Sequence, residues 1–229
     1  MRQIVTKGIV LARTDYGEAD RILTVLTPDQ GKVRLMAKGV RKVKSKLAGG
    51  IELFSVSLIT YIPGRKDIST LVSTRLEKHY GGIISDIDRT MLGYELLKRI
   101  NTSTEDEPGG EYFLLLQRGL AALDAGLALG LVEAWFDAQL LTLAGQQPNL
   151  QSDQRQQPLS GDATYVFDYA TMCFLAQPDG PYTPEHIKVL RLLFGQPTPE
   201  KLLQVQGIEG YMPPLQTLIS TLRQQALPR

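Results

Sequence analysis

The 229 residues, 43% hydrophobic and 21% charged, suffice for one large domain or two modest ones with a real core. No run approaches the roughly 18 apolar residues of a membrane span, no signal-peptide core opens the chain, and the lone Cys173 excludes an internal disulfide or a cysteine-built zinc site. The net charge of +1 conceals a polarity: residues 1–80 hold 15 Lys and Arg against 7 Asp and Glu, whereas residues 81–229 hold 10 against 17. A half of +8 suited to polyanions therefore precedes a half of −7. Cytoplasmic residence without membrane contact is expected.

In chain order, residues 8–13 and 21–26 read as strands, the second supplying Ile22, Leu23, Val25 and Leu26. Thr27-Pro28-Asp29-Gln30-Gly31 then reads as a turn, with Pro28 presetting φ and Gly31 free to take a positive one. In the next strand, residues 32–37, Val33, Leu35 and Ala37 alternate with Lys32, Arg34 and Lys38, so one face is core and the other basic. A longer strand over 53–62 places Phe54, Val56, Leu58 and Ile62 on one face, turns at Pro63-Gly64 and returns through 68–76. Five short strands in about 80 residues predict a small closed barrel, an OB-fold by preference and an SH3-like barrel otherwise.

After Tyr80-Gly81-Gly82 the apolar period lengthens to that of a helix. Ile84, Ile87, Met91, Tyr94 and Leu97 mark one helical face; Phe113, Leu116, Leu120, Leu123 and Leu127 mark a second; Val132, Trp135, Phe136, Leu140 and Leu143 a third. Thr183-Pro184-Glu185 and Thr198-Pro199-Glu200 read as helix starts, and a last helix is expected from about 214 to 225. The class is α+β: an N-terminal five-stranded OB-fold barrel over 1–80, then a helical domain over 81–229 with an irregular insert at about 146–181. Tyr165 to Phe174 form a short strand-like core within that insert.

The sharpest local signal is Lys38-Gly39-Val40-Arg41-Lys42-Val43-Lys44-Ser45-Lys46, five cations in nine residues before the glycine-containing, flexible stretch 47–50. Each cation can displace condensed counterions from a nucleic-acid backbone, and Lys32 and Arg34 would extend the surface. A solvated charged loop is the plainer alternative. Tyr16, in the turn Asp15-Tyr16-Gly17-Glu18-Ala19-Asp20, is the candidate stacking platform, whereas Phe54 is expected in the core. Catalytic motifs are missing from the sequence: Gly31-Lys32 lacks the first glycine of a phosphate-binding loop, and neither G-x-S-x-G nor H-E-x-x-H occurs. His79 reads as a surface residue, His186 as an exposed first-turn residue, Asp86 and Asp88 as acids at a helix start, Cys173 as a buried thiol and Trp135 as core. No enzyme activity, cofactor or metal is expected.

Gly8-Ile9-Val10-Leu11, the run from Tyr16 to Thr27, Gly31-Lys32, Ala37 to Lys42, Lys44 to Gly49, and Leu53-Phe54 through Tyr61 with Gly64 closely resemble, in order and spacing, the opening of the RecO family. The resemblance covers about the first 80 residues. It implies an OB-fold that binds single- and double-stranded DNA and anneals complementary strands, joined to a helical domain. It also implies work with RecR to load RecA onto DNA covered by single-stranded-DNA-binding protein, whose acidic, apolar C-terminal tail is gripped. Arg99 and Arg118 are the candidate cations for that tail, at the rim of a groove between helices. Many family members carry a four-cysteine zinc module; here Ser152, Asp153 and Gln154 stand where cysteines would fall. A zinc-free loop or hairpin packed by Tyr165, Phe167 and Phe174 is expected instead. An alternative reading is an adaptor whose basic barrel binds acidic protein partners.

Overall fold

The computed structural model describes residues 2–64, 67–104, 110–159 and 161–227. The chain forms two compact units, Met1–Gly126 and Leu127–Arg229. The division expected after residue 80 marks the end of the barrel strands; the next three helices group with the barrel.

In the first unit, β1 (Ile4–Tyr16), β2 (Asp20–Thr27), β3 (Gly31–Ala37), β4 (Ser55–Ile62) and β5 (Ile68–His79) close a barrel in the order β1-β2-β3-β5-β4. All neighbours are antiparallel except β3 and β5, which is the OB-fold arrangement. The β2–β3 turn is built as its residues dictate. The Gln30 N–H donates to Thr27 Oγ1 (3.1 Å), the Thr27 hydroxyl donates to the Gly31 carbonyl (3.0 Å), and Gly31 sits at φ +62°. Val10, Leu23, Val25, Leu35, Ala37, Ile59, Tyr61 and Leu71 fill the interior, with Val40 and Ile51 from the β3–β4 connection.

The predicted inner face of β4 is the wrong one. Ile59 and Tyr61 point inward, while Phe54 and Val56 are buried outside the barrel interior and Leu58 and Ile62 are half-buried. Both parities of this strand are apolar because part of the barrel's outer surface is also covered, so alternation could not choose between them. The cover is α1 (Gly81–Ile84), α2 (Ile87–Ser103) and α3 (Gly110–Asp124), with α2 packed on β1 and α3 on β2. Ile9 and Leu26, cross-strand partners outside the barrel interior, are 0% and 1% exposed. Phe54 packs edge-on to Tyr94 at 5.1 Å between centroids, and a Cβ at Gly93 would lie 2.8 Å from its ring.

Asp86 caps α2, accepting from the Arg89 N–H at 2.9 Å, as acids at a helix start do. The helical face read as core is instead open: Ile84 at the end of α1 and Ile87, Met91 and Tyr94 of α2 are exposed, and of that set only Leu97 is buried. The packed face is Leu92, Gly93, Leu96, Leu97 and Ile100. Two apolar stripes run along this helix, and the small Gly93 lets the second approach Phe54.

In the second unit, α4 (Leu129–Leu143) is buried nearly all round and packs against α5 (Pro184–Gly195) and α6 (Ile208–Ala226). Two side chains of α4 satisfy carbonyls at the end of α5. The Trp135 indole donates to Gln196 O (2.9 Å) and the Gln139 amide to Leu193 O and Phe194 O (2.8 and 2.9 Å). Arg223 of α6 donates to the buried Asp137 carboxylate of α4 at 2.9 Å. The last helix begins at Ile208 and not near 214, because Ile208 and Met212 are buried and hold the segment before Pro213-Pro214. Pro199–Gln204 is a 3-10 turn.

The insert contains a hairpin, β6 (Tyr165–Asp168) with β7 (Cys173–Ala176), so the C-terminal region is not wholly helical. Phe167, Phe174, Tyr165 and Tyr182 are buried in a chain of edge-on ring contacts, which gives this small sheet an aromatic core. Cys173 is half-buried and not fully enclosed. Among the described residues no group of three or more His, Cys, Asp or Glu is placed to hold a metal ion.

His186 is also not the exposed residue expected. It closes a capping box with Thr183, whose backbone N–H donates to His186 Nδ1 at 3.1 Å, and its ring packs against Tyr182 and Tyr211. The Thr183 hydroxyl lies 2.9 Å from the same Nδ1, and an Nδ1 that accepts from the backbone N–H carries no proton. Burial lowers its pKa below the ordinary 6.5, opposed by Glu185. Because the folded value lies below the unfolded one, the contribution is whole above 6.5 and is lost as pH falls through the folded value. The melting temperature of the wild type is therefore expected to fall more between pH 7.5 and 5.5 than that of His186→Gln, whose amide oxygen can still accept. Parallel thermal melts across that range check this.

Candidate nucleic-acid interface

Residues 15–20, the turn between β1 and β2, and residues 38–46, the loop after β3, lie together at one rim of the barrel. The Gly39 N–H donates to Asp20 Oδ1 at 2.7 Å, the Arg41 N–H to Ala19 O at 3.0 Å, and the Arg41 guanidinium to Gly17 O at 3.4 Å. The loop is itself a string of turns, with the Lys42 N–H on Gly39 O (3.1 Å) and the Ser45 N–H on Lys42 O (2.9 Å). Its end is tied down and not loose as expected. Thr74 donates its hydroxyl to Leu47 O at 3.2 Å, and Gly50 is buried against the Thr74 side chain.

This scaffold presents Lys38, Arg41, Lys42, Lys44 and Lys46 as exposed side chains, with Val43 fully exposed among them. Tyr16 is 56% exposed on the adjoining turn, whereas Phe54, Tyr61 and Tyr80 are each 2% exposed. The register explains the grouping. Thr14 pairs with Ile22, Ile22 with Met36, and Thr24 with Arg34. Tyr16, two residues from Thr14, and Lys38, two from Met36, therefore continue one outer face bearing exposed Arg34 and half-exposed Ile22 and Met36. A basic rim beside a half-apolar strand face with one aromatic platform can hold a phosphate backbone and rest bases on the sheet.

Lys32 belongs to the same strand but not to this surface. Its ammonium donates to Asn101 O at 2.9 Å, at the carbonyl end of α2, so it pins that helix to the barrel and answers its dipole. Arg99 is 7% exposed on the packed side of α2, and Arg118 is half-buried on α3 and holds contacts of its own. The expectation that Arg99 stands at a groove rim is thus corrected: α2 turns it inward along with Leu96 and Ile100.

Sequence reasoning misses Arg21. It pairs with Asp15 across the β1–β2 register, its Nε donating to Asp15 Oδ1 at 2.7 Å, while Arg41 Nη1 lies 3.5 Å from Oδ2. The Arg21 hydrogen bond holds the Asp15 carboxyl below the usual range, opposed by desolvation and helped further by the charges of Arg41, Arg21 and Arg13. A signal for the pair is present: Asp15 and Arg21 are each three residues from Glu18, so a turn centred there sets them opposite.

Residues 1–80 match the family described as "Recombination protein O N terminal". The DNA repair protein RecO of Roseiflexus sp. strain RS-1 is 32% identical over 204 residues, which cover 84% of this chain and 70% of that protein. This chain belongs to the RecO family. The RecO of Dehalococcoides mccartyi is 34% identical over 146 residues, 63% of this chain and 57% of that protein. That of Halalkalibacterium halodurans is 28% identical over 172 residues, 75% and 66% respectively. Membership assigns the chain to DNA repair and recombination, with the barrel as the RecO N-terminal domain. No helix among the described residues is long and apolar enough to cross a membrane.

Proposed function

We propose that this RecO-family protein is a non-catalytic mediator that binds single- and double-stranded DNA on the rim formed by Tyr16, Arg34, Lys38, Arg41, Lys42, Lys44 and Lys46. The observation that carries the reading is the exposed Tyr16 beside six exposed cations, five of them on the loop after β3. Cations on a turn-braced loop neutralise phosphates without reading sequence, so affinity depends on salt and little on base order. Partial neutralisation of two strands, with bases left accessible on the sheet, favours annealing. From its family come the proposed partners: RecR, the tail of single-stranded-DNA-binding protein and, indirectly, RecA.

Titration of fluorescent oligonucleotides of two unrelated sequences, between 50 and 200 mM salt, tests the DNA reading. Similar affinities that fall steeply with salt support it. Affinity for DNA that is absent, or flat in salt while an acidic peptide binds, moves the rim's role to protein partners.

A further inference from the structure

Arg21 and Arg41 are the guanidiniums best braced on the rim, and both already hold an anion. Asp15 offers one oxygen to Arg21 Nε at 2.7 Å and the other to Arg41 Nη1 at 3.5 Å. All three side chains are open to water, at 31%, 38% and 52% exposure for Arg21, Arg41 and Asp15. The two arginines are placed differently: the β2 ladder fixes the Arg21 backbone while its guanidinium rests on Asp15, and Arg41 has a hold of its own. Arg21 lies within β2 opposite β1 and β3, and Arg41 is held by its own N–H on Ala19 O and by its guanidinium on Gly17 O. A carboxylate spanning two neighbouring guanidiniums, one of them also bonded to the Gly17 carbonyl, has the charge and two-oxygen geometry of a phosphate diester in the same seat.

We infer that Asp15 is a built-in stand-in for a DNA phosphate, seated on Arg21 and Arg41 in the free protein and displaced by a backbone phosphate when a strand binds. The inference rests on the DNA-binding reading and extends the rim to Arg21, which alternates with Ile22 and so lies on the barrel-mouth side, beside Arg41, and not on the strand face of Arg34. Each phosphate entering this seat must exchange with Asp15, so the protein binds less tightly than its cations allow, and a held strand leaves more readily. The exchange is a swap of one anion for another, with no bond made or broken. Asp15 thus tunes strand affinity downward.

The test is a set of neutralising variants titrated with a fluorescent single strand at several salt concentrations, with thermal melts to confirm folding. Asp15→Asn, and Asp15→Ser as a second form, are expected to bind roughly two- to fivefold tighter at 0.1 M salt, as for freeing exposed ion pairs. Their slopes of log affinity against log salt are expected to steepen by up to ~0.7, the value for neutralising one single-strand phosphate. The gain is expected to vanish in an Arg21→Gln/Arg41→Gln background. Glu18→Gln, an exposed acid on the same turn, reports the effect of net charge alone and is expected to give a smaller gain. Unchanged or weaker binding by both Asp15 variants overturns the inference while leaving DNA binding by the wild type intact, as does an equal gain in Glu18→Gln. A wild type that does not bind DNA at all overturns the underlying reading instead.

Discussion

Replacing Asp137 by Ala is expected to lower the stability of the second unit by roughly 3–5 kcal/mol, the cost of leaving half of a buried ion pair unmatched. The Asp137 side chain is 1% exposed and that of Arg223 20%, with 2.9 Å between Nε and Oδ2, so the guanidinium loses its anion in a largely dry setting. The pair joins α4 to α6, which also meet through buried apolar residues such as Leu215, Leu218, Ile219 and Leu222 of α6. Urea unfolding followed by the fluorescence of Trp135, the only tryptophan and a buried residue of α4, reads this unit directly. The double variant Asp137→Leu/Arg223→Met removes both charges and is expected to recover much of the loss, since no ion is then stranded. By contrast, Glu185→Gln, which breaks the exposed 3.9 Å pair with Lys188, is expected to cost under about 1 kcal/mol from that pair. A loss below about 1 kcal/mol for Asp137→Ala would show that the pair does not hold the two helices together.

The largest expected effect on binding comes from the basic loop. Arg41, Lys42, Lys44 and Lys46 replaced together by Ala are expected to flatten the salt slope for single strands by up to ~0.7 for each phosphate no longer neutralised. If all four touch phosphate, affinity near 0.1 M salt falls roughly 10²- to 10³-fold, about equally for any sequence. Lys32→Ala is the informative control. It removes one of the same charges from the same barrel, but Lys32 is engaged with Asn101 O, so its loss is expected to cost about 1 kcal/mol of stability and leave the slope unchanged. Oligonucleotide titrations over a salt series measure both. An unaltered slope in the fourfold variant, with folding intact, would remove the loop from the DNA surface.

The candidate site was partly legible in the sequence because its chemistry is local. Five cations in nine residues can be counted, and Tyr16 lies in a turn announced by Gly17 and by the strands on either side. What could not be read was engagement. Lys32 meets a carbonyl 69 residues away, and nothing near it in the chain distinguishes it from Arg34, which stays exposed. Arg99 and Arg118 carry the same charge as a rim cation would, yet helix rotation and packing decided their surroundings.

By itself the sequence determined the five-stranded barrel, its β2–β3 turn, the change to helical period after Gly82 and the aromatic packing of the insert, though not whether the insert is a loop or a hairpin. These follow from turn chemistry, strand alternation and runs of apolar residues, all properties of neighbours in the chain. Tertiary structure alone decided which stripe of α2 is buried, since Ile87, Met91 and Tyr94 compete with Leu92, Leu96 and Ile100 on hydrophobicity and lose on shape. The flat side of Gly93 admits the Phe54 ring, and no Cβ could share that space. It also decided that β4 turns Ile59 and Tyr61 inward, and that α1 to α3 join the barrel in one unit. The reason in each case is burial from both sides: once the barrel's outer wall is covered, both faces of an element are apolar and periodicity no longer says which way it points.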